Sequence, residues 1–377
     1  MENAKTQTRD IQVDIAKGLG IFFVILGHLI SYDAPLFRWI FSFHMPLFFF
    51  LSGYVFKHNS ENLGMNIKKT LCSLLIPYFF MCLLGLAVTI VCSKTILPEW
   101  GIQSVKVTLM QIFYFVQPES LHVGQIWFLF CLAIVQVFFV ILKDLKLPEA
   151  VELLFAAFSF AIAAGLSYIY LKINEKAAFD LTISDLSIRL NDIPRPPLKL
   201  DSAFMAFFFF YLGNKDFEKG FTKNFKTLRI KNRILILSLL LTVNILYVIL
   251  LNSTANIAEN FYRNAGLYAM ASITGIYFIF IFASLFEHSK VLEFFGKNSL
   301  SIFLFHSFFL AIFSLILIKF SNGAIHYGNI PLPICFIGML FVAILSIPIP
   351  FIYNHTIGKL VKIAKKSIKK NMIEYNA

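Results

Sequence analysis

The sequence predicts an all-α, polytopic integral membrane protein built as a helical bundle, and three observations support this fold class. Apolar residues fill 58% of the 377 positions, charged residues fill only 14%, and 45 residues are Phe. A soluble globular domain contains about 45–50% apolar and about 25% charged residues. The apolar residues also form long runs, as helices that cross a hydrocarbon core of about 30 Å require. This composition excludes a disordered chain and an ordinary soluble enzyme.

Ten apolar runs are long enough, or nearly so, to cross a membrane. They cover roughly 11–31, 36–56, 71–92, 121–142, 149–171, 198–214, 234–251, 264–286, 298–318 and 333–353. The shorter apolar stretch 106–117 is predicted to be an interfacial or re-entrant segment. We therefore expect about ten transmembrane helices within 11–353, followed by a basic tail over 354–377.

The basic residues predict how these helices are oriented. Lys and Arg number 33 against 21 Asp and Glu, which gives a formal charge of +12. With ten spans and a cytoplasmic N-terminus, 22 of the basic residues fall on cytoplasmic segments and 10 on the opposite side, as the positive-inside rule requires. Both termini are therefore predicted to be cytoplasmic. The positive charge marks one membrane face and does not indicate nucleic-acid binding.

The first span carries ionisable residues along one helical stripe: Asp10, Asp14, Lys17 and His28. Lys17 and His28 are separated by about 16 Å along the helix axis. Ionisable groups inside a span usually face the protein interior or a wet cavity and serve a function. The alternative interpretation is an interfacial cap with a snorkelling lysine, followed by a packing histidine.

The second span combines a histidine with a proline. Pro46 cannot donate a hydrogen bond to the Ser42 carbonyl, so the helix should kink beside His44. Because this span runs in the opposite direction, His44 can lie at the depth of His28. Two imidazoles at one depth indicate acid–base chemistry, since imidazole titrates near neutral pH. A helix-breaking packing motif is the alternative for His44.

The opening of the chain resembles a known family. Residues 9–28 read RDIQVDIAKGLGIFFVILGH and residues 41–56 read FSFHMPLFFFLSGYVF. Both segments are similar to the start of the membrane-bound acyltransferase-3 family, in particular its sugar O-acetylase branch, with fucose 4-O-acetylase-like and enterobacterial-common-antigen-type O-acetyltransferases. Further similar motifs follow in the expected order at 126–129, 207–213 and 296–306.

The resemblance implies one membrane acyltransferase domain over 1–377, located in a bacterial cytoplasmic (inner) membrane. The family's signature is a basic residue, ten intervening residues and a His. Lys17 and His28 stand at these two positions here. Many members have Arg at the first position; Lys keeps the charge but loses the bidentate fork. The resemblance implies acyl-CoA, specifically acetyl-CoA, as co-substrate with no bound cofactor. The implied acceptor is a sugar hydroxyl of a surface polysaccharide or a lipid-linked oligosaccharide.

These implications assign roles to the polar residues of the first two spans. His28 is the expected general base, and His44 either orients the acceptor or stabilises the oxyanion. Lys17 and Asp14 are the expected acyl-donor-binding residues, because the anionic donor arrives from the basic face. Covalent acyl-His transfer remains an alternative to direct attack. No metal site is predicted, since no third acidic or thiol ligand has helix spacing to the histidines.

Three further residues are candidates on the acceptor side. Trp127 could stack on a sugar, although an interfacial aromatic belt gives the same pattern. His306 lies eight residues into the ninth span and could serve packing or function. Arg195 flanks the outer end of the sixth span and could line the acceptor entrance, although loop charges are usually solvated.

Two other classes of membrane protein share this composition. A transporter of polysaccharide or lipid-linked glycan would also carry intramembrane charges, but usually with repeat symmetry and paired broken helices. A polysaccharide polymerase would be expected to have a larger outer loop with several arginines, whereas 172–199 has only two. The resemblance favours the acyltransferase over both.

Overall fold

The computed structural model describes residues 10–57, 62–95, 104–175, 195–251, 255–326 and 328–376. This part of the chain forms fifteen α-helices and no β-strand, which confirms the all-α fold class. In chain order they are α1 Ile11–Gly27, α2 Pro35–Phe41, α3 His44–Tyr54, α4 Leu63–Thr95, α5 Val105–Phe113, α6 Trp127–Asp144, α7 Glu149–Glu175, α8 Leu200–Lys219, α9 Ile230–Leu251, α10 Ala265–Ser284, α11 Lys290–Lys297, α12 Ser299–Phe320, α13 Leu332–Leu345, α14 Ile349–His355 and α15 Ile357–Asn376.

Each of the ten predicted spans coincides with a helix or a helix pair. Within the described residues, eight helical stretches are long and apolar enough to cross a membrane. The other two predicted spans correspond to α1, with 17 residues, and to α8. The chain is therefore a polytopic membrane protein, while the count of ten and the cytoplasmic position of both ends stay predictions. The predicted segment 106–117 forms α5 and the turns after it, with an exposed apolar surface.

Glycines allow the central helices to approach closely. A Cβ atom on Gly53 of α3 would lie 1.9 Å from the Phe210 carbonyl oxygen, and one on Gly213 of α8 would lie 1.9 Å from that of Phe50. The two helices therefore cross through a reciprocal pair of glycines, a contact that small residues make possible between membrane helices.

The first span is fixed at its N-terminal end. The Asp10 carboxylate caps α1 by accepting a hydrogen bond from the Gln12 backbone N–H at 2.9 Å. One turn further along, the backbone of Asp14 packs so tightly on Gly296 of α11 that a Cβ there would lie 1.7 Å from the Asp14 carbonyl oxygen. The cap interpretation is therefore confirmed for Asp10. The contact between α1 and α11 fixes the part of α1 that carries Asp14, one of the predicted acyl-donor-binding residues.

The second span is broken beside His44, as predicted. Helix α2 ends at Phe41, Phe43 leaves helical geometry, and α3 begins at His44 with Pro46 in its first turn. The Ser42 carbonyl that Pro46 cannot satisfy accepts a hydrogen bond of 2.6 Å from the Ser272 hydroxyl of α10. The break is thus a satisfied structural feature that sets the position of His44.

Candidate active site

Three histidines from three different helices meet inside the bundle. His28 follows the last residue of α1, His44 is the first residue of α3, and His306 lies in α12. The imidazole centroids of His28 and His306 are 5.4 Å apart, with the rings tilted by 39°. The sequence leaves packing and function open for His306, and the structure places it beside the predicted base.

A phenylalanine ring connects His28 with His44. The Phe41 centroid lies 6.3 Å from that of His28 and 4.6 Å from that of His44, in edge-on geometry in both cases. A charge on His28 would act on both other imidazoles. His44 therefore does lie near His28, and the three rings form one cluster, which we call the histidine cluster (His28, His44 and His306).

Backbone carbonyls hold two rings of the histidine cluster. The His44 Nδ1 lies 2.9 Å from the Ile40 carbonyl oxygen, and the His306 Nδ1 lies 2.6 Å from that of Phe303. A carbonyl oxygen can only accept, so each Nδ1 must be the donor and carry the proton. In the neutral ring Nε2 then keeps its lone pair. Neutral His44 can consequently accept a hydrogen bond but cannot donate one to an oxyanion through Nε2.

The His28 ring differs from the rings of His44 and His306 in its exposure and in its hydrogen bonding. His44 is 4% exposed and His306 is 1% exposed, whereas His28 is half-buried. Within the described part of the chain, no hydrogen bond holds the His28 imidazole. Of the three rings, His28 is thus the most exposed, and the ring of His306 lies beside it. Such an arrangement suits proton transfer.

Sequence reasoning missed Gln125, which secures the helix that carries His306. Its side-chain amide donates to the Ser307 hydroxyl at 2.6 Å and to the Leu304 carbonyl at 3.3 Å. Gln125 stands in a 3₁₀ turn, Gly124–Ile126, just before α6. A single polar residue outside the periodic apolar pattern gives no signal of such a contact, so only the tertiary structure reveals it.

Trp127 lies between helices rather than on an open surface. Its side chain is 6% exposed, and its ring centroid is 6.2 Å from that of Phe49 in α3 and 6.3 Å from that of Phe128. The route from Trp127 to the histidine cluster runs through Phe128 and Phe303. Its predicted role as a sugar platform stays a prediction, and its ring faces are covered in this structure.

Arg195 forms part of a buried ionic network near the ends of α7 and α8. Its guanidinium donates to the Glu259 carboxylate at 2.5 Å and to the Glu259 carbonyl at 2.9 Å. Lys199 binds the same carboxylate at 3.3 Å. Burial raises the pKa of the Glu259 carboxyl, but the charges of Lys199 and Arg195 outweigh it and hold that pKa below its usual range. Arg195 is therefore a structural ion-pair partner, and its contact with an acceptor stays a prediction.

The predicted donor residues lie away from the histidine cluster, toward the start of α1. Asp14 is 2% exposed at the contact with α11, and Lys17 is half-buried one turn later. Lys17 and His28 remain about 16 Å apart along the helix axis. The structure thus places Asp14 and Lys17 in the first half of α1 and His28 just past its last residue. The donor-binding role of Asp14 and Lys17 stays a prediction. The outer-loop residues 176–194 lie outside the described residues.

Comparisons with known proteins complete the description of the site. A family model described as "Acyltransferase domain" matches residues 10–352 and so includes the whole histidine cluster. The nodulation protein NolL of Mesorhizobium japonicum is 38% identical over 93 residues, which are 22% of this chain and 25% of that protein. NolL of Sinorhizobium fredii is 34% identical over 100 residues, 22% of this chain and 26% of that protein. The chain thus matches about a quarter of the length of these relatives. No solved structure shows significant similarity.

Proposed function

The chain belongs to the acyltransferase-3 family, whose acyltransferase domain it carries over residues 10–352, and from that premise we propose that it is a membrane O-acyltransferase that acetylates a sugar hydroxyl. The observation that carries this proposal is the histidine cluster, in which half-buried His28 lies 5.4 Å from buried His306. Acyl transfer to a hydroxyl requires a base at the attacking oxygen. The imidazole of His28, the most exposed ring of the cluster, is the group proposed to supply it.

The proposed reaction is direct transfer. A ring nitrogen of His28 accepts the proton of the acceptor hydroxyl as its oxygen attacks the thioester carbonyl. The new acyl–oxygen bond forms, the acyl–sulfur bond breaks, and the proton passes from the imidazole to the leaving thiolate. The products are the O-acylated sugar and the free thiol, so His28 returns to its neutral state without any further reactant.

His44 and His306 are proposed to orient the base. Both have Nδ1 committed to a backbone carbonyl, so both present Nε2 as an acceptor. The Nε2 of His306, whose ring centroid lies 5.4 Å from that of His28, is proposed to accept the N–H of neutral His28 and thereby to fix which nitrogen faces the hydroxyl, while His44 packs on Phe41, the ring that also contacts His28. Enzymes commonly fix the orientation of a catalytic base by a hydrogen bond to another side chain. The oxyanion role expected for His44 stays an alternative, and it would require a protonated His44 ring.

The donor is proposed to be acetyl-CoA, which approaches from the basic face. Lys17 sits on α1 between that face and His28, so its charge can attract the anionic donor. The acceptor is proposed to be a surface polysaccharide or a lipid-linked oligosaccharide that reaches the histidine cluster from the other side. The proposed location is a bacterial cytoplasmic membrane.

Membrane vesicles test this function. Inverted vesicles that contain the protein receive radiolabelled acetyl-CoA outside and the lipid-linked oligosaccharides of the host membrane. We expect label in the glycan with the wild type and with His355→Ala, an exposed histidine on α14, but not with His28→Ala. Label transfer by His28→Ala at the wild-type rate would refute the assigned base. Movement of an intact glycan without acylation would instead identify a transporter, and chain elongation would identify a polymerase.

A further inference from the structure

A second polar site lies at the far end of the bundle from the histidine cluster. A cavity of about 210 Å³ opens between α4, α6 and α15. Its lining residues are Phe56, Lys57, Asn66, Lys69, Thr70, Ser73, Gln136, Val140 and Lys365. Helix α3 has His44 at its start and leads to Phe56 just past its end, about 18 Å away at helical rise. The cavity is thus on the membrane side that the positive-inside rule assigns to the cytoplasm.

The local sequence of α4 explains one wall of the cavity. Asn66, Lys69, Thr70 and Ser73 stand at positions i, i+3, i+4 and i+7, which place them on one face of the helix. This polar face occurs in the first three turns of a helix that is otherwise strongly apolar. Such a polar face is satisfied by water or by polar side chains, and Gln136 of α6 lines the same cavity.

Among the described residues, the lysines that line the cavity have no acidic partner. Lys57, Lys69 and Lys365 line it, no carboxylate does, and within the described part of the chain none of the three forms an ion pair with an acidic residue. Lys69 and Lys365 are close enough for their charges to repel each other. Elsewhere in the described residues, half-buried lysines are paired: Lys143 and Lys215 both bind Glu152. Three lysines that line one cavity, two of them partly buried and close enough to repel each other, favour an anion in the cavity.

We propose that this cavity is a phosphate-binding site, in which Lys57, Lys69 and Lys365 neutralise the anion and Thr70 and Gln136 add neutral hydrogen bonds. Lysine binds phosphate as a compact point charge with several donors. The volume is below the roughly 300–1,000 Å³ of pockets that enclose a whole drug-sized ligand. The cavity therefore holds a phosphate-bearing head group while the rest of the ligand extends outside.

Two ligands share this chemistry. One is the nucleotide end of the acyl donor, an interpretation that rests on the proposed function. The other is the head group of an anionic phospholipid, which would fasten the basic helix α15 to the membrane. Both require the same three lysines, and binding experiments with separate probes distinguish them.

The test compares two double variants that remove the same charge from the same two helices. Lys69→Gln with Lys365→Gln alters the cavity, whereas Lys68→Gln with Lys366→Gln alters exposed neighbours that do not line it. One experiment titrates the full-length protein in neutral, lipid-free detergent with adenosine 3′,5′-bisphosphate and follows thermal stability. The other measures retention of phosphatidylglycerol against phosphatidylcholine by native mass spectrometry.

We expect the wild type and the control variant to bind at least one probe, and the cavity variant to bind it at least about tenfold more weakly, because two charge-assisted hydrogen bonds are lost. Bisphosphate binding identifies the donor's nucleotide end, and selective phosphatidylglycerol retention identifies a lipid site. Lys57→Gln, a change at an exposed side chain, should weaken the same binding while preserving the fold.

Binding of neither probe, or equal loss in both double variants, would overturn the proposed site. Because neither probe carries an acyl group, the outcome is independent of acyl transfer. Intact transfer with no binding rejects the cavity and leaves the function standing, whereas binding without transfer supports the cavity and rejects the function.

Discussion

His28 and His306 lie 278 positions apart in the chain, yet their imidazole centroids are separated by only 5.4 Å. The contact joins the end of α1 to the second turn of α12. It turns two histidines that the sequence presents separately into adjacent parts of one site. The two residues differ in access, since His28 is half-buried and His306 is 1% exposed. This difference separates the proposed base from the proposed positioning residue.

Replacing the base should slow catalysis strongly without unfolding the protein. We expect His28→Ala to lower kcat by about 10²–10⁴-fold, the usual contribution of a general base. The measurement is initial-rate acetyl transfer in vesicles, with expression and thermal stability as checks on folding. His355→Ala removes an exposed histidine and should leave kcat within about twofold of wild type. Equal kcat in the two variants would be incompatible with the assignment.

The His306→Asn variant tests whether the His306 ring serves folding or catalysis. His306→Asn can keep a donor near the position of Nδ1 and so retain the bond to the Phe303 carbonyl, but it removes Nε2. We expect wild-type stability with kcat lowered about 10²-fold and a displaced pH–rate profile. His44→Asn should behave alike, because it can keep the bond to the Ile40 carbonyl. An unchanged pH profile in both variants would show that the rings serve packing alone.

Gln125 and Ser307 should be energetically coupled. Their hydrogen bond of 2.6 Å ties the turn before α6 to the helix that carries His306. A double-mutant cycle with Gln125→Ala and Ser307→Ala should give a coupling free energy of unfolding of about 0.5–1.5 kcal/mol. Thermal unfolding in detergent measures it. Strictly additive effects would mean that the bond does not stabilise the fold.

The reciprocal glycine crossing should tolerate no side chain. Gly53→Ala places a Cβ 1.9 Å from the Phe210 carbonyl oxygen, so α3 and α8 must separate. We expect a loss of about 2–3 kcal/mol in the free energy of unfolding. Gly165→Ala in α7 is the matched control, since its Cβ would meet nothing within 4 Å, and it should be neutral or stabilising by about 0.5–1 kcal/mol. Equal stability of the two variants would contradict the close approach.

The network around Glu259 should make stability depend on acidity. Because the pKa of Glu259 is lowered in the folded state, its stabilising contribution is fully present above the ordinary glutamate pKa of about 4.3 and is lost as the pH falls through the folded value. At pH 7, Glu259→Gln should cost about 3 kcal/mol, since Arg195 and Lys199 would remain buried without their partner.

Thermal midpoints between pH 7 and pH 3 test this expectation. The difference between wild type and Glu259→Gln should shrink as the pH falls below about 4.3. Glu149→Gln is a suitable comparison, because its ion pair with Lys219 is exposed and contributes little. A constant difference across the range would show that the carboxylate charge is not responsible.

The apolar pattern alone located the helices of the ten predicted spans, but not α11 and α15, which lie outside those runs. Runs of about twenty apolar residues can only be helices in a membrane, because every backbone group must be satisfied within its own segment. The break beside His44 was equally predictable, since Pro46 removes one specific hydrogen bond. The sequence left a capping role for Asp10 as one of two alternatives, and the structure decided in its favour.

What the sequence by itself determined was therefore local: the helices, the break at Pro46 and the stripe from Lys17 to His28. Only the tertiary structure decided which side chains meet. It brought His306 to His28, joined Gln125 to Ser307 and gathered three lysines around one cavity. The physical reason is that periodicity sets which face of a helix is apolar or polar, whereas the neighbour of that face depends on how helices far apart in the chain pack together.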